Sequence, residues 1–405
     1  MAHRYRLYPD PAAETMLVRH CSDARFVWNL ALEQANSWRP GRSSTPGAAA
    51  RMRQLAEARR HSWLGEGSSS VQQQVLRDFD QALKNWWAGT HRRPRWRKGS
   101  RNAGFCVRDV TVVKLNRKWA TLFVPKCGRV RFRLSRPLPA AYGMARITLD
   151  RAGRWHVSFA APQPPLECMG SGTAIGIDRG VATTIATSDG QMLRIPTSPK
   201  LQAKLARLHQ RLARQQKGSD RRAQTKAEIA RTHARIGDRR QDWIEKTTTA
   251  LIRDHNLIVL EDLATKNMVR RPHPKPDPDQ PGAFLANGAA AKAGLNRVIH
   301  QSCWGRFARR LTDKAEASGV TVIFVDPRHS SQTCPACDHV APENRESQAV
   351  FRCVRCGHCA HADTNAATII LARGLRLAPA PGPGAYARIS PTAAPAAGTT
   401  RRTAA

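Results

Sequence analysis

Acidic residues are scarce in this chain: 30 Asp and Glu stand against 66 Lys and Arg in 405 residues, a formal net charge of +36. So unbalanced a chain repels itself, and its basic residues fall in blocks, so the expected partner is a polyanion, nucleic acid above all. Long apolar runs are missing too. None approaches the roughly 20 residues that a membrane-spanning helix needs. The start, Met-Ala-His-Arg-Tyr-Arg, lacks the apolar stretch of a secretory signal. No internal repeat is present. The expectation is a soluble, cytoplasmic protein with reduced thiols and no membrane partner. Its length allows two or three domains.

Of the ten cysteines, Cys21, Cys106, Cys127, Cys168 and Cys303 stand alone. Cys334, Cys337, Cys353 and Cys356 form a C-x2-C-x15-C-x2-C pattern, the spacing of a four-thiolate zinc ribbon. Cys359, His339, His358 and His361 lie close by as alternatives. The first four are preferred, because a ribbon uses two knuckles and Gly357, directly after Cys356, suits a tight turn. Four thiolates leave no open position, so the zinc is expected to be structural.

Along the chain, residues 3–8 alternate as a short strand, and 11–37, 51–60 and the stretch after Ser68-Ser69-Ser70 carry helical spacing, making 10–90 a small helical module. Residues 40–50 read as a loop. Between Arg92 and Arg101 there are six Lys or Arg and no acid, with Trp96 among them. Arg92, Arg93, Arg95, Trp96, Arg97 and Lys98 are candidate nucleic-acid contacts, cations for phosphate and an indole for stacking. Segments 110–114, 118–124, 128–134, 145–150 and 154–160 read as strands of a small barrel. The Pro- and Gly-rich residues 161–172 mark a domain boundary.

A second pattern follows. Residues 174–177, 181–187 and 191–195 read as strands, with a hairpin turn at Ser188-Asp189-Gly190. An antiparallel basic helical hairpin is expected from 199–216 and 221–254, then a strand at 257–260, a mobile Pro-rich stretch at 269–288, a helix over 291–318 and a strand at 320–325. A last helix runs from Asp363 to about Leu375. Residues 376–405, rich in Ala and Pro, are expected to be disordered.

Three acids terminate or open these elements: Asp178 after the first strand, Glu261 after the fourth and Asp363 at the start of the last helix. Singly each could be a solvated turn residue. Together they follow the logic of an RNase H-like nuclease. Two-metal phosphodiester cleavage needs carboxylates converging on ions about 4 Å apart, and no single element can surround both. Adjacent strands and a packed helix can, and hard oxygen ligands suit Mg²⁺. Asp262 faces away from Glu261 by strand alternation and is read as a cap or solvated acid. Asp326 is read as structural.

At this point the chain resembles the TnpB family of RNA-guided nucleases from bacterial insertion sequences, and its relatives among the miniature type V CRISPR effectors. The resemblance spans about residues 3–375. It rests on Arg4-Tyr5-Arg6-Leu7-Tyr8-Pro9, Ala24-Arg25-Phe26-Val27-Trp28-Asn29, Ala82-Leu83-Lys84-Asn85-Trp86-Trp87, Gly176-Ile177-Asp178-Arg179-Gly180, Leu260-Glu261-Asp262-Leu263, Ser331-Gln332-Thr333-Cys334 and Ala362-Asp363-Thr364-Asn365-Ala366-Ala367. It implies an α/β multidomain protein: a RuvC (RNase H-like) nuclease domain with an inserted zinc ribbon, and a wedge-type β-barrel carrying a helical recognition insert. The domains would be 1–9 and 106–168 (barrel), 10–105 (recognition lobe with basic linker), 172–332 (nuclease, with the hairpin 199–254), 333–360 (ribbon), 361–375 (last nuclease helix) and 376–405 (tail). It implies Asp178, Glu261 and Asp363 as catalytic ligands of two Mg²⁺ ions, and Cys334, Cys337, Cys353 and Cys356 as ligands of Zn²⁺. The implied partners are a guide RNA in a basic channel and double-stranded target DNA carrying a short adjacent motif.

The alternatives are a miniature type V CRISPR effector, an RNA-guided binder with weak or no cleavage, a junction resolvase or DNA transposase proper, and a basic ribosomal factor. A resolvase has no use for the barrel and ribbon. A DDE transposase needs an end-binding module that is not apparent, and a ribosomal factor has no use for three convergent acids.

Overall fold

A computed structural model describes residues 2–37, 46–99, 103–108, 110–161, 165–168, 173–280 and 282–378. Its contacts group the chain into two units. One takes the described residues of Met1–Pro162 with Lys200–Arg235, the other those of Gln163–Pro199 with Ile236–Ala405.

In the first unit a seven-stranded sheet is built from β1 (Ala2–Tyr8), β2 (Gly104–Arg108), β3 (Val112–Lys114), β4 (Trp119–Val124), β5 (Gly128–Arg133), β6 (Met144–Leu149) and β7 (Trp155–Ala160). Its order is β2-β6-β7-β1-β5-β4-β3, with every pairing antiparallel. The N-terminal strand therefore sits in the middle, between strands more than a hundred residues later. The first two residues of β2, Gly104 and Phe105, fall in the stretch read above as basic linker, and 106–108 in the stretch read as barrel. The strand's periodicity is short, and Gly104 starts it because a Cβ there would meet the Ile147 carbonyl oxygen at 2.6 Å.

Helices α1 (Pro11–Asn36), α2 (Ala48–His61) and α3 (Ser69–Trp87) follow β1. Asp10 caps α1 by accepting from the Ala13 amide at 2.7 Å, and Ser68 caps α3 through the Val71 amide. Val71, Val75, Phe79 and Leu83 recur every fourth residue and are buried. The helices do not have a core of their own: Leu17, Val27, Val75 and Phe79 share one cluster with Tyr5, Leu122, Phe132, Ile147 and Phe159 of the sheet. Helices α4 (Pro199–Arg214) and α5 (Asp220–Asp254) form an antiparallel pair. Arg211 binds Glu228 at 2.9 Å, and Arg222 closes the turn on the Leu212 and Gln215 carbonyls. Its outer part, Lys200–Arg235, groups with the first unit, whereas the sequence reading assigned the whole hairpin to the nuclease domain.

The second unit holds a five-stranded sheet of order β10-β9-β8-β11-β14: β8 (Ala174–Asp178), β9 (Ile185–Thr187), β10 (Met192–Leu193), β11 (Leu257–Glu261) and β14 (Thr321–Val325). Strands β8, β11 and β14 are parallel, and β9 and β10 continue the sheet antiparallel. Helix α6 (Thr265–Met268), the two-residue strands β12 (Lys275–Pro276) and β13 (Phe284–Leu285), α7 (Ala289–Ser302) and α8 (Trp304–Ser318) lie between β11 and β14. After β14 come β15 (Val350–Arg352), β16 (Cys359–His361) and α9 (Ala362–Leu377).

Phe307, Leu311 and Ala315 of α8 join one core with Ile177, Ile258 and Val322, while Ile370 of α9 joins Val259, Ile323 and Val325 in another. Alternating residues of the central strands thus face different helices, and each strand reads as a continuous apolar run. Gly176 permits the close approach of α9, since a Cβ there would meet the Ala367 carbonyl oxygen at 2.1 Å.

Several expectations change. Residues 181–184 are not strand, so β9 begins only at Ile185. The helix expected over 291–318 is two, broken at Cys303, which adopts left-handed φ 56° and ψ 26°. The Pro-rich stretch carries the β12–β13 hairpin. Residues 376 and 377, assigned to the disordered tail, are the end of α9, and 379–405 lie outside the described residues. So do 40–45 of the expected loop, whose last residues, 48–50, open α2, and 162–164 and 169–172 of the expected boundary. Among the described residues no helix is long and apolar enough to cross a membrane.

Candidate active site and metal centre

The parallel topology sets Asp178 and Glu261 at the carboxyl ends of adjacent strands β8 and β11, the edge where open α/β sheets place their sites. Asp363 lies in the first turn of α9, which packs on these strands. Three residues far apart in sequence therefore share one end of one sheet. Their electrostatics record it. Burial, then the Glu261 and Asp363 carboxylates, push the Asp178 carboxyl up to about 7, against the pull of Arg345 and Arg179. Burial also raises Glu261, opposed by a hydrogen bond from Ser330 and the charges of Arg179 and Arg373. These are carboxylates short of positive charge, a state that a divalent cation relieves.

The neighbours hold the acids in place. Ser330 Oγ donates to Glu261 Oε1 at 3.0 Å. Arg345 Nη2 lies 3.7 Å from Asp363 Oδ1. The Asp363 amide donates to His361 Nδ1 at 3.3 Å. Ser330, Arg345 and the side chain of Arg179 were not singled out from sequence. Arg179 sits inside a quoted motif, but Ser330 and Arg345 lie in loops with no periodicity to mark them. Asp262 is exposed, and its amide donates to the Val325 carbonyl at 2.8 Å. Asp326 accepts from the Arg328 amide at 2.9 Å, closing a local turn.

Cys334, Cys337, Cys353 and Cys356 meet with all four sulfurs within 4.8 Å of one another. Each pair closes a knuckle. The Asp338 amide donates to the Cys334 carbonyl, and the Gly357 amide to that of Cys353. Both turns need a left-handed residue after the second cysteine, supplied by Asp338 at φ 54° and Gly357 at φ 73°. Burial opposes ionisation of Cys353, but the Cys356 and Arg355 amides and the neighbouring thiols bring it down to about 6. Cys359 is exposed, its thiol turned to the Gly357 carbonyl. Four converging sulfurs could hold a metal ion such as zinc. Among the described residues they are the one group of three or more such side chains gathered into a compact ligand set. The Glu261 and Asp363 carboxylates come near enough to raise Asp178, without the three closing into such a set.

The thiol cluster is built onto the helix that carries Asp363. Cys334, Phe351, Cys353 and Ala362 make one small core, and Asn365 donates to the Thr333 carbonyl at 3.0 Å.

In the first unit, the basic segment docks on α1. The Arg97 amide and carbonyl bond the Asn29 side chain at 2.8 and 3.1 Å, and Trp28 Nε1 donates to the Arg95 carbonyl at 2.9 Å. The Arg97 guanidinium lies 3.8 Å from the Trp28 ring centre, where burial lowers it to about 10. Arg93 bonds Asn36 and lies over Trp86. Arg92, Arg95, Trp96 and Lys98 are exposed. Of the six candidates, Arg97 and Arg93 are thus engaged within the fold. All six but Arg92 help, with Arg146, to line a cleft of about 750 Å³.

Three family descriptions match parts of the chain: "Helix-turn-helix domain" over residues 1–41, "Probable transposase" over 161–271 and "Cas12f1-like, TNB domain" over 304–370. A protein of Escherichia coli (strain K12) named "Putative RNA-guided DNA endonuclease InsQ" is 34% identical over 384 residues, 92% of each chain. A "Putative RNA-guided DNA endonuclease" of Streptomyces pristinaespiralis is 30% identical over 382 residues, 92% of this chain and 89% of that one. The Cas12f1 chain of a cryo-EM complex with sgRNA and target DNA aligns at TM-score 0.47 and 11% identity, covering 91% of this chain and 98% of that one. With two relatives at these identities over nine-tenths of its length, the chain belongs to the TnpB family of insertion-sequence proteins.

Proposed function

We propose that this protein is an RNA-guided DNA endonuclease of the transposon-encoded type, and that Asp178, Glu261 and Asp363 form its nuclease site. One observation carries the reading: three carboxylates from separate segments reach one sheet end, where burial and then the Glu261 and Asp363 carboxylates raise Asp178 to about 7. A fold gains nothing from crowding unneutralised acids in this way, whereas a cation-assisted site requires it. The names of the relatives supply the substrate class, and the net charge of +36 suits two nucleic-acid partners.

The chemistry follows from the donors. Mg²⁺ held by the three carboxylates would activate a water and stabilise the leaving 3′ oxygen. Asp178, on the central strand β8, feels the charge of both other acids. Ser330 fixes one oxygen of Glu261 and leaves the other free to ligate. Arg345 restrains Asp363 and tempers the negative charge. Zn²⁺ at the four cysteines would be structural. The second unit then is the RuvC domain with its ribbon, and the seven-stranded sheet of the first is the wedge-type barrel with α1–α3 as its recognition insert. The cleft by Trp96 is a candidate nucleic-acid contact. The protein works in the bacterial cytoplasm.

The test is to purify the full-length protein from its native locus and sequence the RNA that comes with it. A discrete RNA from the transposon end supports the reading. An array-derived RNA favours the CRISPR-effector alternative, and no discrete RNA overturns RNA guidance. An Asp178→Ala variant that still binds guide and target but no longer cuts separates the nuclease from a binder without cleavage.

A further inference from the structure

The sheet ladder between the two strands that carry Asp178 and Glu261 stops just short of them. The β8–β11 register ends at Ile177 opposite Leu260. At the next level the two acids are not partners of each other: Asp178 pairs with Ala186 of β9 and Glu261 with Val325 of β14. The gap is bridged by a side chain. Arg179 turns inward, is 6% exposed, and donates from Nη2 to the Glu261 carbonyl oxygen. We propose that Arg179 is a positioning residue that replaces the missing ladder bond, and so fixes the spacing of Asp178 and Glu261 for a divalent cation. This rests on the reading of those two acids as metal ligands.

Three observations support a role in position rather than generic packing. A buried guanidinium is costly unless it is compensated, and the charges facing this one are Glu261, Asp178 and Asp262. The next residue is held as well, because Trp304 Nε1 donates to the Gly180 carbonyl at 3.2 Å; α8 thereby pins the chain just beyond the guanidinium. Finally, Arg179 Nε has no hydrogen-bond partner among the described residues. The side chain is thus placed for its single bond to β11, although it also borders a cleft of about 620 Å³ with Asp262 and Lys266.

Charge and position make opposite demands on a metal site, so the sign of the effect decides. Removing a cation beside two carboxylates strengthens divalent-cation binding if charge is all that Arg179 supplies. If it sets their spacing, binding weakens. The probe is Mn²⁺, titrated by calorimetry into the zinc-loaded full-length protein, with the Asp178→Ala variant defining the signal of this site. The expected result is at least tenfold weaker Mn²⁺ binding for Arg179→Met, with Arg179→Lys in between and thermal midpoints close to wild type. Binding by the Met variant as tight as wild type, or tighter, overturns the positioning role. If the Met variant does not fold, Arg179→Lys decides: binding equal to wild type shows that charge suffices and overturns the proposal. If wild type and Asp178→Ala bind Mn²⁺ identically, the reading of the acids as ligands fails first, and the role of Arg179 falls with it.

Discussion

The side-chain amide of Asn365 donates to the main-chain carbonyl of Thr333 at 3.0 Å. One residue lies two positions beyond Asp363 on α9, and the other immediately precedes the first cysteine of the thiol cluster. The cluster is therefore fastened to the helix that presents the third carboxylate.

Loss of the clip should misplace that helix. Cys334→Ala is expected to lower cleavage while guide-RNA binding persists, and Asn365→Ala to destabilise the second unit by about 1–3 kcal/mol by leaving a buried carbonyl unpaired. Zinc content, denaturant unfolding and cleavage rates check this. Normal cleavage by a demonstrably zinc-free Cys334→Ala protein would show that the clip is dispensable.

The basic segment separates into a structural and an exposed part. Arg97→Ala should cost about 1–2 kcal/mol of stability, through lost contact with the Trp28 ring. Trp96, 49% exposed, should be neutral for stability when changed to Ala, but should weaken nucleic-acid binding by about 1–3 kcal/mol if a base stacks on it. Paired unfolding and RNA-binding measurements on the two variants test the division.

Acid should loosen α5 from α8. Burial works against the Glu245 carboxylate, but hydrogen bonds and charge from Arg310 and Lys314 bring it down from 4.5 to about 2. Its distances are 2.7 Å to Arg310 Nε and 3.0 Å to Lys314 Nζ. The folded pKa lies below the unfolded one, so this stabilisation is complete above about pH 4.5 and is lost as pH falls toward 2. Glu245→Gln should lower stability at neutral pH and flatten that part of the pH–stability curve. An unchanged acid limb in the variant would assign the sensitivity elsewhere.

Much of the second unit was legible because its signals are local. Apolar runs ending at Asp178 and Glu261 read as strands with acids at their ends, and two C-x-x-C pairs at fixed spacing announced the thiol cluster. What escaped depends on contacts between distant residues. Strand β2 opens on Gly104, whose close approach to the Ile147 carbonyl no window of sequence displays. The break between α7 and α8 falls at a cysteine in left-handed conformation, without the glycine that would have advertised it. Ser330 and Arg345 owe their places to loops that return over the sheet end. Arg97 read as one more surface cation, until Trp28 and Asn29 turned out to receive its segment.

The central claim is that Asp178, Glu261 and Asp363 cut DNA under RNA guidance. The most direct measurement is cleavage of a plasmid carrying the target by the full-length protein, copurified with its RNA, in Mg²⁺, with Asp178→Ala in parallel. Wild type is expected to cut, and the variant not to cut above background, at equal guide-RNA occupancy and equal target binding. Undiminished cleavage by Asp178→Ala, with its guide RNA bound, would contradict it.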